Sequence, residues 1–181
     1  MLGHGAAGGI QAPDLLAAAA AANETGFAAA LVEQPYHVAG RRSQPAARQL
    51  DSAWLAVIGR LRDVQLGDIR LVAGGRSAGA RVACRTASEG HAAAVLCLAF
   101  PLHSPGRADD PTKSRLPELE AVQVPVLVVQ GENDPFGMPP GGRRRTVVRV
   151  PGNHALRDTA PVKAAVADWL AGFDQRLDSS H

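Results

Sequence analysis

The chain has 181 residues, a length that fits one domain built on one sizeable core. Hydrophobic residues make up 46% and charged residues 20%, which excludes a disordered chain, and aromatics are only 4%, so Ala, Val and Leu must do most of the packing. The 19 basic and 17 acidic side chains leave a net charge of +2, too balanced for nucleic acid or an anionic membrane to be the main partner.

Met1-Leu2 reads as the stub of a first strand that leads into a small-residue loop, Gly3-His4-Gly5-Ala6-Ala7-Gly8-Gly9. A helix is expected over 12–24, with Pro13 suited to its first turn and Gly26 to its stop. The alanine run Ala17 to Ala22 belongs to that helix, and no apolar run approaches the roughly 18–20 residues of a membrane span. The N-terminus lacks the basic start and leucine-rich stretch of a signal peptide, so cytoplasmic residence is the expectation. A strand is expected over 28–32. Glu33, Gln34 and Tyr36 follow its carboxyl end and are expected at the rim of a pocket; Arg41-Arg42 reads as solvated loop charge. A helix over 45–61 and a strand over 69–73 come next.

Gly75-Arg76-Ser77-Ala78-Gly79 then carries the strongest chemical signal, a G-x-S-x-G directly after a strand and directly before a helix expected over 77–88. Small residues let the backbone turn sharply there, which pushes the serine out above the sheet at the positive end of a helix. The bland alternative is a Gly-rich turn with a capping serine. Arg76, beside Ser77, is expected either to meet an anionic group or to pair with a neighbouring acid. Cys84 and Cys97 sit in apolar stretches and read as buried, reduced thiols.

After a strand over 94–99, the segment 100–123 breaks the alternation. It holds Pro101, Pro105, Pro111 and Pro117 together with Gly106, and reads as an irregular, lid-like loop in which His103 is a pocket candidate. The strand over 124–130, VPVLVVQ, is apolar on both faces, as a central parallel strand would be. It is followed by Gly131-Glu132-Asn133-Asp134-Pro135, where Asp134 either orients an imidazole or merely starts an Asx turn. Arg143-Arg144-Arg145 reads as solvated loop charge. A strand over 146–150 runs into Pro151-Gly152-Asn153-His154, where His154 either reaches over Ser77 or stays in solvent. Asp158 or Thr159 would cap a last helix over 161–172, and 173–181 reads as a frayed tail.

Strands alternating with helices predict a three-layer α/β/α sandwich with a mostly parallel sheet, in a single domain over 1–181. The order Ser77, Asp134, His154, each just beyond a strand, is that of the α/β-hydrolase triad and of no other serine-triad fold. The glycine loop at the start is where one oxyanion donor belongs. The N–H groups of Ala6 and Ala78 are the candidate pair, and His4 is expected to order the loop and is a pocket candidate. The same glycines make a poor phosphate cradle, because no G-K-[ST] follows them.

The segments LGHGAAGG, VEQPYHVAGRR, GGRSAGARVACR, LAFPLHSPGR and VVQGENDPFG together resemble the α/β-hydrolase superfamily, over residues 2 to about 171. They are most similar to its small hydrolase-like branch, which includes the testis-expressed and NSL-complex hydrolase-like proteins and is related to dienelactone hydrolases. The resemblance implies Ser77 as nucleophile, Asp134 as acid and His154 as base, acting through an acyl-enzyme on a carboxylic ester or related acyl bond. It implies no cofactor, and no Cys/His/Asp cluster has metal-ligand spacing. The expected partner is a small acyl substrate, with no nucleic acid and no membrane. The rival reading is a catalytically silent module of the same fold that binds another protein. The two-residue first strand departs from the family pattern. It leads to the expectation that about 20–40 further residues belong upstream, and that an exposed sheet edge would otherwise invite self-association.

Overall fold

Helices separate the strands along the chain except between the last two, which follow each other directly, and every pairing among the six strands is parallel. The computed structural model describes residues 1–6, 8–41, 43–67 and 69–178. Its strands are β1 Leu2–Gly3, β2 Leu31–Val32, β3 Leu71–Arg76, β4 Ala92–Leu98, β5 Val126–Gly131 and β6 Arg145–Val150, in the sheet order β2-β1-β3-β4-β5-β6. Its helices are α1 Pro13–Glu24, α2 Pro35–Val38, α3 Ala47–Leu61, α4 Ala78–Thr86, α5 Leu116–Glu120 and α6 Thr159–Asp178.

Two separate packing faces make the three layers. On one face, Leu15, Ala18 and Ala21 of α1 and Val162, Val166 and Leu170 of α6 cover Leu96, Leu98, Leu127 and Val129. On the other, Trp54 and Ile58 of α3, Val82 and Ala83 of α4 and Leu119 of α5 cover Ala73, Val95, Cys97 and Val128. β5 is buried along its whole length, which is why VPVLVVQ carries no alternation. Trimming Leu127 to alanine would cost about 2–5 kcal/mol, since the side chain is fully enclosed. Cys84 on α4 and Cys97 on β4 are buried free thiols with their sulfurs 3.5 Å apart.

The chain leaves β1 for β2 on one side and returns to β3 on the other, so the strand order reverses between β1 and β3. A crevice at the carboxyl ends of such neighbouring strands is where open α/β sheets bind ligands. The loop after Gly3 and the turn at Ser77 both leave the sheet there. β1 is two residues long, as its sequence suggested. Its pairing with β3 is extended by Met1, whose amino group donates to the Val72 carbonyl and whose carbonyl accepts from the Gly74 N–H, both at 2.9 Å.

Several boundaries differ from expectation. β2 spans only Leu31–Val32, because its one neighbour in the sheet is the two-residue β1. Residues 35–38 form the short helix α2, which places Tyr36 in a helix and not a rim loop. The segment 100–123 contains a 3-10 turn over Pro111–Lys113 and then α5, so its prolines start short helical turns there. α6 continues through Gly172 to Asp178, where a frayed tail was expected from residue 173; no glycine or proline follows Gly172 to stop it. Asp158 does cap that helix, accepting from the Ala160 N–H at 3.3 Å. Ala7 of the glycine loop, Arg42 of the Arg41-Arg42 pair and the last three tail residues lie outside the described residues.

Candidate active site

Ser77 stands between β3 and α4 with φ 51° and ψ −110°, a left-handed conformation that a residue with a Cβ adopts only under constraint. Its N–H donates to the Leu98 carbonyl of β4 at 2.9 Å. The two glycines of G-x-S-x-G are required by the close passage of β1. A Cβ on Gly75 would lie 2.5 Å from the Gly3 carbonyl oxygen, and one on Gly79 would come closer still. Gly5 lies against Ser77 in turn: its Cβ would meet Ser77 Cβ at 3.3 Å and Arg76 Nη1 at 3.1 Å. The N-terminal loop therefore runs alongside the serine.

His154, in the loop after β6, reaches both other candidates. Its Nε2 is 3.0 Å from Ser77 Oγ and its Nδ1 is 2.8 Å from Asp134 Oδ2. A carboxylate accepts only, so Nδ1 carries the proton toward Asp134 and Nε2 is left to accept from the serine hydroxyl. The Asp134 side chain is 1% exposed. Its Oδ1 accepts from the Phe136 N–H at 2.8 Å, and its Oδ2 also accepts from Gln130 Nε2 at 2.8 Å. The Phe136 ring lies 4.1 Å from the His154 ring, between centroids, and shields one imidazole face.

Gln130 and Phe136 are the residues that sequence reasoning missed. Gln130 is fully buried at the end of β5, and its Nε2 also faces the Phe100 carbonyl at 3.1 Å and the Gly137 carbonyl at 2.9 Å. The available signal was a lone amide closing an otherwise apolar strand, since a buried polar side chain needs partners.

Arg76 meets an acid, not a free anion. Its Nε is 2.8 Å from Asp14 Oδ2, and its Nη2 donates to the His154 carbonyl at 2.7 Å. Asp14 is buried on α1; burial pushes its carboxyl up while the Arg76 charge pulls it down, and the net direction is upward. His4 is buried as well, so it is not an open pocket wall. Its Nδ1 donates to the Gly5 carbonyl at 2.6 Å and its Nε2 accepts from the Gln34 N–H at 2.9 Å. Burial lowers the His4 pKa from 6.5, as expected of a ring held neutral between one acceptor and one donor. Gln34 is likewise buried. Tyr36 is buried with its hydroxyl 3.5 Å from the Ala6 carbonyl, beside the serine-facing loop. Glu33 stays at the surface, where Oε1 is 2.6 Å from His37 Nδ1.

His103 braces the turn that carries Asp134: its N–H donates to the Phe136 carbonyl at 3.0 Å and its ring abuts Gly137. Asp110 is turned to its own loop, where Oδ1 accepts from the Thr112 N–H at 3.0 Å, and Asp109 is exposed. The Ala78 N–H opens α4 and, like the other N–H groups of a first turn, has no acceptor within its helix. Among the described residues no group of His, Cys, Asp and Glu is arranged to hold a metal ion, and no helix is long and apolar enough to cross a membrane.

Comparison with known proteins follows the same lines. A family model described as an alpha/beta hydrolase domain matches residues 1–148, a span that includes Ser77 and Asp134 and stops short of His154. Est1E from Butyrivibrio proteoclasticus, solved with ferulic acid bound, superposes with a TM-score of 0.76 at 17% identity, over 96% of this chain and 88% of that one. A member of the a/b serine hydrolases without a lid, from Xanthomonas campestris, gives 0.69 at 20% identity, over 97% of this chain and 82% of that one. An alpha-beta serine hydrolase homologue from Coxiella burnetii gives 0.67 at 15% identity, over 95% and 84%. At these identities the likeness is one of fold. Comparison with curated protein sequences gives no match.

Proposed function

The chain belongs to the alpha/beta hydrolase domain family, and from that premise we propose that it is a serine hydrolase that cleaves a carboxylic ester or related acyl bond. The observation that carries this reading is the His154 imidazole, hydrogen-bonded at once to Ser77 Oγ at 3.0 Å and to Asp134 Oδ2 at 2.8 Å. The segments quoted above resemble the small hydrolase-like branch related to dienelactone hydrolases, and we place the chain there as part of the same proposal.

In the proposed mechanism His154 Nε2 takes the Ser77 proton as Oγ attacks the acyl carbon. Asp134 holds the Nδ1–H tautomer and stabilises the imidazolium that forms. Negative charge gathers on the carbonyl oxygen, and the N–H groups of Ala78 and Ala6 are the donors assigned to it; one such donor is worth about 3–4 kcal/mol of barrier. The alcohol leaves with the proton from His154. Water, deprotonated by the same imidazole, then releases the acid and restores Ser77. The positive φ at Ser77 serves this chemistry by lifting Oγ clear of the sheet.

A fluorophosphonate probe tests the proposal. The wild type is expected to be labelled and to turn over p-nitrophenyl acetate, and Ser77→Ala to do neither. Unchanged turnover in Ser77→Ala would remove Ser77 from the mechanism.

A further inference from the structure

A cleft of about 690 Å³ lies one helical turn from Ser77, which does not line it. It opens between the first turn of α4 and the segment that joins β4 to α5. Arg81, whose N–H bonds to the Ser77 carbonyl one helical turn away, forms one wall. Ser104 forms another, next to His103 and the turn whose Phe136 packs on His154. The cleft therefore neighbours the proposed catalytic groups through Arg81 and Ser104, although none of those groups lines it.

Its charge is one-sided. Arg81, Arg107, Lys113 and Arg115 line it against a single carboxylate, Glu118. That carboxylate is already engaged, in a two-point pair with Arg81 and in a further contact with Arg85 at 3.4 Å. Arg115 is half-buried and fixed by neutral acceptors only, the Pro101 carbonyl at 3.0 Å and Ser104 Oγ at 3.1 Å. Two of its five N–H groups are thus used, and among the described residues no carboxylate bonds directly to the guanidinium. Burial, then the neighbouring Arg81, press the Arg115 pKa downward, and the Glu118 carboxylate offsets this only in part. Arg107 and Lys113 are exposed at the mouth and have no side-chain acceptor among the described residues. The loop carboxylates Asp109 and Asp110 are absent from the lining, and Asp110 Oδ1 is held by Thr112.

We propose that this cleft binds an anionic group, a carboxylate or a phosphate, carried by the ester that Ser77 attacks. The inference rests on the serine hydrolase reading, and it narrows the substrate class to esters with a negative charge beyond the scissile bond. Arg115 is the fixed anchor, since a guanidinium offers paired donors to a carboxylate or phosphate. Arg107 and Lys113 add attraction at the entrance that salt will screen.

The test compares p-nitrophenyl monoesters of dicarboxylic acids of increasing length with uncharged methyl-capped esters of equal length. For one length the wild type is expected to favour the charged ester by about tenfold in KM, a difference that fades with added salt. In the double variant Arg107→Glu/Lys113→Glu, which keeps the Arg115 anchor, the preference is expected to fall severalfold; an undiminished preference would remove these two residues from the site. Acetate, methyl phosphate and inorganic phosphate, titrated calorimetrically into Ser77→Ala, separate a carboxylate site from a phosphate site without any need for turnover. Equal KM values for charged and neutral esters at every length would overturn the proposal, whether or not free anions bind. If anions bind but the fluorophosphonate leaves Ser77 unlabelled, the hydrolase reading fails and the anion site survives as a site of another kind. If Ser77 is labelled and no anion titrates, the site itself is refuted.

Discussion

Arg76 donates from Nη2 to the main-chain carbonyl of His154 at 2.7 Å, so the residue before Ser77 holds the loop that brings the imidazole over it. The same guanidinium is anchored through Nε to Asp14, a carboxylate buried on α1. Three elements distant in sequence thus meet in one side chain that makes no chemical step of its own. This assigns the variable position of G-x-S-x-G a positioning task.

Arg76→Met is expected to destabilise the fold by about 3 kcal/mol, because it leaves a buried carboxylate without its partner. Asp14→Asn in the same chain should restore much of that loss, and a double-mutant cycle in urea measures the coupling. The sign with pH follows from Asp14, whose folded pKa lies above its ordinary 3.8. A raised carboxyl pKa favours the fold as the group protonates, so the Arg76→Met deficit should shrink on acidification. A deficit that grows as pH falls would contradict the pairing.

Asp134→Asn should lower turnover by about 10⁴-fold, since an amide in its place permits the wrong imidazole tautomer. Asp110→Asn, whose carboxylate bonds only to Thr112, should stay close to wild type. Steady-state kinetics on p-nitrophenyl acetate decides between them. The opposite ranking would move the acid to the segment after β4.

Gln130→Leu removes the amide that ties Asp134 to the Phe100 and Gly137 carbonyls. We expect kcat to fall by about tenfold, equivalent to about 1.4 kcal/mol, with KM unchanged. The effect would be positional, because Asp134 Oδ2 loses the donor that holds it toward His154 Nδ1. A purely structural role would lower the yield of folded protein and leave kcat per enzyme labelled by the fluorophosphonate unchanged.

His4 sets a pH dependence of stability. Its folded pKa lies below 6.5, so its contribution is complete above the unfolded value and is lost as pH falls from there toward the folded one. His4→Gln keeps an acceptor for the Gln34 N–H without a group that titrates. Between about pH 8 and about pH 5 the wild type should lose stability relative to this variant, by at most about 1.4 kcal/mol per pH unit. Parallel urea midpoints across that range would show that the ring charges freely in place.

The fold was readable because each strand is a short apolar run bounded by glycine, proline or polar turns. The long strands β3 to β6 were found within a few residues, as were α1, α3 and α4. The order Ser77, Asp134, His154 was readable for the same reason, since each follows the end of a strand that could be located. The supporting contacts were not. Nothing in the spacing links Asp14 to Arg76, because that pair depends on how α1 crosses the sheet. Gln130 was hidden inside a strand whose other side chains are apolar. His4, Gln34 and Tyr36 stood near the right crevice in sequence terms, yet their side chains are buried. α2 and α5 are only 4 and 5 residues long, too short for a helical period to register. α6 outran its expected end because one glycine does not break a helix that packing already holds.

The position of β1 bears on when the turn at Ser77 is completed. Pairing of Leu2 and Gly3 with Gly74 and Gly75 joins strands further apart along the chain than any other neighbours in this sheet. Closing that span costs the most chain entropy, so it belongs among the late events of folding. β3 to β6 can meet through shorter connections and bring most of the backbone signal with them. The Gly3 carbonyl sits against Gly75 and Gly79, the glycines on either side of the turn that holds Ser77 at its positive φ, so that turn is completed when β1 docks. During refolding, secondary structure should therefore recover before the protein regains its reactivity toward a fluorophosphonate. A chain caught in that interval is folded by spectroscopy and silent by chemistry.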